Sequence, residues 1–153
     1  MNKQFEILRK TRATVLDAIE KLSLEQLSTI PAGFNNNIFW NVAHLVVTQQ
    51  ILCYKLSGQP MSISDELFEN YRKGTAPERG KIVTQAELDL VKKLFTDLPI
   101  QFEKDYNEGI FTNYTVYETS MDVTLDSIEA AIAYNNMHEG IHLGSILALR
   151  KLV

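Results

Sequence analysis

The chain has 153 residues, 45% of them apolar and 22% charged, with a formal net charge of -4. That length suits one domain with a real core, residues 1–153, and the apolar and charged shares are those of a globular protein. Lysine and arginine are scattered without a basic run, which argues against nucleic acid as the main partner, and no apolar run reaches the roughly 18 residues needed to span a bilayer, so no membrane partner is expected.

The first predicted helix covers about residues 3–22, with Asn2 as its cap. Phe5, Leu8, Val15, Ile19 and Leu22 form its apolar stripe. Glu6–Lys10 and Asp17–Lys21 are i,i+4 pairs for the wet side. Ser23 and Gln26 make a capping box for a short following turn. The second helix runs from about Asn37 to Ser57, capped by Asn35 or Asn36 and stopped by Gly58 and Pro60. Ile38, Phe39, Trp40, Val42, Leu45, Val46, Ile51 and their neighbours make it apolar nearly all round. Such a helix is buried on more than one side, and a second subunit is expected to cover one of them, giving a homodimer.

Residues 58–83 read as a connection, with Ser64 capping a short helix through Tyr71. Thr84 and Glu87 form a second capping box, opening a third long helix to about Tyr106. Pro99 inside it predicts a kink or a break. Gly109 closes it. Residues 110–123, aromatic and β-branched, are expected to be extended. The fourth long helix covers about Leu125 to Lys151. Its Gly140 and Gly144 cost roughly 1 kcal/mol each relative to alanine, which points to close approach by a helix or a ligand. Four long helices give an all-α four-helix bundle. The start, Met1 to Glu6, lacks the apolar core of a signal peptide, and the single cysteine, Cys53, cannot form an internal disulfide. A soluble cytoplasmic protein is expected.

Chemistry concentrates in the three histidines. His138 and His142 stand four residues apart on the last helix, on one face, a two-nitrogen grip for a transition metal. That face also carries Ala131, Asn135, Ser145 and Leu149. His44 lies on the second helix with Trp40, Asn41, Val47, Thr48 and Ile51. If the helices pack, three neutral imidazoles hold one divalent metal and leave a coordination position open. Asn41 and Asn135 are candidates to orient an imidazole. Cys53 lies half a turn away from His44 and is excluded as a ligand.

His138-Glu139-Gly140-Ile141-His142 also matches the zinc-protease pattern, with Glu139 as general base. The third protease ligand lies downstream, and Leu143 to Val153 contain no His, Asp, Glu or Cys, so that architecture is rejected. Glu139 is kept as a candidate catalytic proton shuttle.

Asn36-Asn37-Ile38-Phe39-Trp40-Asn41-Val42-Ala43-His44-Leu45 resembles the first histidine motif of the DinB-like (damage-inducible) superfamily. His138-Glu139-Gly140-Ile141-His142-Leu143-Gly144 resembles its C-terminal motif. The resemblance covers essentially the whole chain. It implies an up-down-down-up bundle, often dimeric, with zinc or nickel held by His44, His138 and His142. Relatives of that kind include bacillithiol- and mycothiol-dependent transferases and isomerases, and metal-dependent hydrolases. The expected function is therefore a metal-dependent enzyme acting on a small molecule, either an S-transferase using a low-molecular-weight thiol or a hydrolase. The alternative is a non-catalytic, stress-associated bundle that binds a metal or ligand without chemistry.

Overall fold

Capping side chains set most of the helix boundaries. The computed structural model describes residues 1–153 and contains six α-helices: α1 Asn2–Ile19, α2 Leu24–Ser28, α3 Ile38–Gln49, α4 Asp65–Tyr71, α5 Gln85–Asn107 and α6 Ile128–Leu149. Both capping boxes form, Ser23 with Gln26 at α2 and Thr84 with Glu87 at α5, and Ser64 caps α4. Asn37, rather than Asn35 or Asn36, caps α3 by accepting the Trp40 amide. Asn2 does not cap α1; it lies inside the first turn, behind Met1. The last helix starts at Ile128, later than expected, because Ser127 accepts the Ala130 amide.

Beyond Gln49 the α3 segment continues as a π-helical turn, Gln50–Tyr54, and a 3-10 turn, Lys55–Ser57. Gly58, at φ +72°, ends it in the left-handed conformation that glycine adopts freely. Between residues 110 and 123 only a short extended element appears. Tyr117–Glu118 (β1) pairs antiparallel with Thr124–Leu125 (β2).

Four of the helices build the bundle. α1 packs on α5 and α6, and α3 packs on the same two, so α1 and α3 occupy opposite corners. α1 and α6 run parallel: Asn136, partway along α6, meets Gln4 near the start of α1, and Arg150, at the end of α6, meets Ala18 near the end of α1. α3 runs antiparallel to α6, with Asn41 beside His142 and His44 beside His138. Every residue from Ile38 to Val47 is buried. α5 and α6 cover the inner side of α3, while α2 and α4 pack on it as well. The apolar circumference that suggested a second subunit is thus accounted for within one chain.

Pro99 neither breaks α5 nor interrupts its helical assignment. Proline removes the N–H that would bond the carbonyl four residues back, here that of Phe95. Arg12 Nη1 donates to that carbonyl at 3.3 Å instead. The expected surface pairs of α1 do not form as read. Glu6 pairs with Lys3, and α1 ends at Ile19, before Lys21. The two glycines of α6 face open space: a Cβ on Gly140 or Gly144 would meet nothing within 4 Å. Nothing in the chain approaches them closely.

Candidate metal centre

The antiparallel packing of α3 against α6 brings His44, His138 and His142 together. One nitrogen from each ring lies within 4.8 Å of the other two. Ring centroids are 4.5 Å apart for His138 and His142, 4.9 Å for His44 and His142, and 5.3 Å for His44 and His138. A tetrahedral ion about 2.0–2.1 Å from each nitrogen requires nitrogens roughly 3.3 Å apart. The three nitrogens span up to 4.8 Å, so a bound ion would have to draw the rings together. No Cys, Asp or Glu joins the cluster.

The hydrogen bonds around the rings decide which nitrogens are free. His44 Nδ1 lies 2.7 Å from the Tyr71 carbonyl, which can only accept, so Nδ1 carries the proton. His44 Nε2 is then the bare nitrogen, and it accepts from the Thr48 hydroxyl at 3.2 Å. His142 Nδ1 lies 2.7 Å from Asn41 Oδ1. The Asn41 amide is oriented by its own Nδ2, which donates to the Asn37 carbonyl at 2.7 Å. His142 Nδ1 therefore donates too, leaving Nε2 free. Both rings are held as metal-ligating imidazoles usually are, with one nitrogen on a protein acceptor and the other available. Asn41 takes the orienting position expected of it.

The rings are neutral at pH 7. Burial lowers the His44 pKa, with the Tyr71 carbonyl opposing. Burial, then His142 and His44, lowers His138 to about 3. Burial and His44 lower His142 to about 4. A neutral imidazole is the form that binds a metal. Trp40 stacks on His44, with ring centroids 4.5 Å apart and planes 11° from parallel. Its indole N–H donates to Thr75 Oγ1 at 3.1 Å, tying the segment after α4 to the site. His138 and His142 are only half-buried, so solvent reaches the cluster.

Glu139 lies elsewhere. It is wholly buried, and its Oε1 accepts from Arg12 Nη2 at 2.7 Å and from Arg12 Nε at 3.0 Å. Burial raises its carboxyl pKa, with Arg12 and Asn135 pulling the other way. Arg12, 2% exposed, also donates to the Leu45 and Phe95 carbonyls, each at 3.3 Å. One guanidinium on α1 thus bonds to α3, α5 and α6. The sequence reading missed Arg12. Its signal was present, because Phe5, Leu8, Arg12, Val15 and Ile19 keep one helical register and Arg12 stands among apolar residues.

Cys53 is buried away from the histidines, in the second hydrophobic cluster with Leu52, Tyr54 and Phe102. Tyr134 packs against that same cluster. No helix is long and apolar enough to cross a membrane.

The family model of the DinB superfamily matches residues 7–146. The match takes in His44, both histidines of α6, and Arg12. The chain belongs to the DinB superfamily. No curated protein matches it.

Proposed function

We propose that this DinB superfamily chain is a metal-dependent enzyme acting on a small molecule, with zinc or nickel held by His44, His138 and His142. The supporting observation is the arrangement of the ring nitrogens. His44 and His142 each spend Nδ1 on a carbonyl oxygen and keep Nε2 for the centre. Three imidazoles without a carboxylate or thiolate leave the charge of the ion uncompensated and a position open. A metal there supplies Lewis acidity, lowering the pKa of a bound water or thiol. A low-molecular-weight thiol makes the reaction an S-transfer, and water makes it a hydrolysis.

The chain's own residues have separable tasks. Tyr71 and Asn41 fix the two rings. Trp40 covers one face of His44 and excludes water from it. Thr48, whose hydroxyl is 3.2 Å from His44 Nε2, would give up that nitrogen to a bound ion. Glu139 does not serve as the shuttle in this reading, since its Oε1 is committed to Arg12 and the residue has no exposure. We assign it to holding α6 in register. A cytoplasmic setting and a homodimer belong to the same proposal; the first rests on the sequence and the second on the family resemblance alone.

Elemental analysis of untagged protein tests the reading. One zinc or nickel per chain, lost in His44→Ala, His138→Ala and His142→Ala, is expected. Wild-type protein that stays metal-free after reconstitution refutes it and leaves a non-catalytic bundle.

A further inference from the structure

Of the three rings, His138 alone lacks an orienting bond. Its Nδ1 is buried and has no hydrogen-bond partner. One turn earlier on α6, Asn135 is 1% exposed, and its Oδ1 is also buried without a partner. On a helix, residue 135 neighbours both 138 (i,i+3) and 139 (i,i+4), and the longer side chains lean back towards the N-terminus, over residue 135. Asn135 thus stands beneath both the ring and the carboxylate. Glu139 Oε2 makes no hydrogen bond of good geometry. The Asn135 amide lies near enough to favour the charged carboxylate.

An acceptor and a ring nitrogen, both buried and both unpaired, sit one turn apart. Buried polar groups are almost always paired. When Nε2 of His138 faces a metal, Nδ1 carries the proton and becomes a donor. We propose that Asn135 is the positioning residue for His138: Nδ1–H of His138 donates to Asn135 Oδ1, while the Arg12–Glu139 pair steadies the other end of the Asn135 amide. All three imidazoles then have an orienting acceptor: Tyr71 for His44, Asn41 for His142 and Asn135 for His138. The centre is also coupled to the interior pair, although Glu139 itself never reaches the ion. This inference rests on the metal reading given above.

The test uses zinc and the full chain. Zinc affinity is measured by chelator competition for wild type, Asn135→Leu and the reference variant Asn41→Leu. The melting temperature of each metal-free protein is recorded beside it. Nitrogen-15 NMR of the histidine rings is taken with zinc bound. Asn135→Leu should bind zinc roughly 10–100-fold more weakly, as Asn41→Leu should. Its metal-free melting temperature should fall only slightly, because leucine removes an unpaired buried acceptor while giving up the amide's support of Glu139. The zinc-loaded wild type should show a protonated, exchange-protected His138 Nδ1 that loses protection in Asn135→Leu. If Asn135→Leu does not fold, Asn135→Ser, too short to reach the ring, carries the same expectation. Unchanged affinity in a wild type that binds zinc overturns the inference and leaves the metal reading standing. A markedly lower metal-free melting temperature with unchanged affinity overturns it as well, by making Asn135 structural. A wild type that binds no zinc overturns both.

Discussion

Replacing Arg12 with methionine should destabilise the bundle by about 3–5 kcal/mol, the usual cost of breaking a buried ion pair from one side. Arg12 is 2% exposed and Glu139 is fully buried, so neither charge can turn to water when its partner is lost. The two short bonds to Glu139 Oε1, at 2.7 and 3.0 Å, disappear together. The Phe95 carbonyl, already without its helical partner because of Pro99, loses Arg12 too. For a domain of this size each kcal/mol shifts the melting temperature by roughly 2–4 °C, so the expected fall is about 6–20 °C. Such a loss approaches the whole stability of an ordinary domain, so it should be followed by urea titration in a stabilising buffer.

The double variant Arg12→Met/Glu139→Leu separates charge from packing. With both charges gone no buried ion is stranded, and most of the loss should return. Both carbonyl bonds, to Leu45 and Phe95, stay missing, so recovery should be incomplete. The coupling energy from the cycle should exceed about 2 kcal/mol. A single Arg12→Met variant within 1 kcal/mol of wild type, or a double variant no more stable than the singles, would refute the placement of this pair at the bundle's centre.

Other consequences can be measured separately. Trp40 is the only tryptophan, and it stacks on His44, so nickel should quench its fluorescence with saturation at one equivalent. His44→Ala should abolish that quenching, and undiminished quenching in the variant would place nickel elsewhere. The histidine pKa values lie below 6.5 in the folded chain, at about 3 for His138 and about 4 for His142. Below pH 6.5 the unfolded chain therefore binds more protons, and metal-free stability should fall as pH drops towards 4. Each histidine contributes a slope of at most about 1.4 kcal/mol per pH unit. His138→Ala should flatten that slope in urea titrations, and an unchanged slope would contradict the burial of the ring. Pro99→Ala restores the N–H that Phe95 lacks and should stabilise the protein, by less than the roughly 3 kcal/mol a helix-interior proline costs, because Arg12 already holds that carbonyl. Thermal melts that show Pro99→Ala to be destabilising would mean the proline ring is packed too tightly to replace.

The legible parts of the sequence were those with local causes. Ser23, Ser64 and Thr84 cap the helices assigned to them because a hydroxyl and the amides it caps lie within four residues. The histidine pair on α6 was legible because i,i+4 spacing fixes a face. That His44 joins it depends on α3 and α6 packing antiparallel, which spacing within one helix does not encode. The π-helical turn at Gln50–Tyr54 left no mark, since those residues suit an α-helix equally well. No helix of the chain approaches Gly140 or Gly144, so the close helix packing expected from these small residues does not occur. The unbroken α5 shows the same limit. Pro99 alone predicts a kink or a break, and the guanidinium arriving from α1 gives the Phe95 carbonyl the partner that the proline withholds.

Adjacent positions on α6 divide the labour. A step of one residue turns a helix by about 100°, so His138 and Glu139 face different surroundings. His138 looks towards α3 and the half-open cluster. Glu139 looks into the bundle, where Arg12 meets it. The motif His138-Glu139-Gly140-Ile141-His142 is therefore shared between two structures, a three-histidine cluster on one side and a buried ion pair on the other. Its likeness to a zinc-protease helix comes from composition. There the glutamate acts beside the ion; here it is turned inward and anchored. A Glu139→Gln variant puts that difference to a measurement. Glutamine keeps the shape and loses the charge, leaving Arg12 buried without its counter-ion, so stability should fall while the metal content stays near that of wild type. Full stability with lost turnover would instead return Glu139 to the role of proton shuttle.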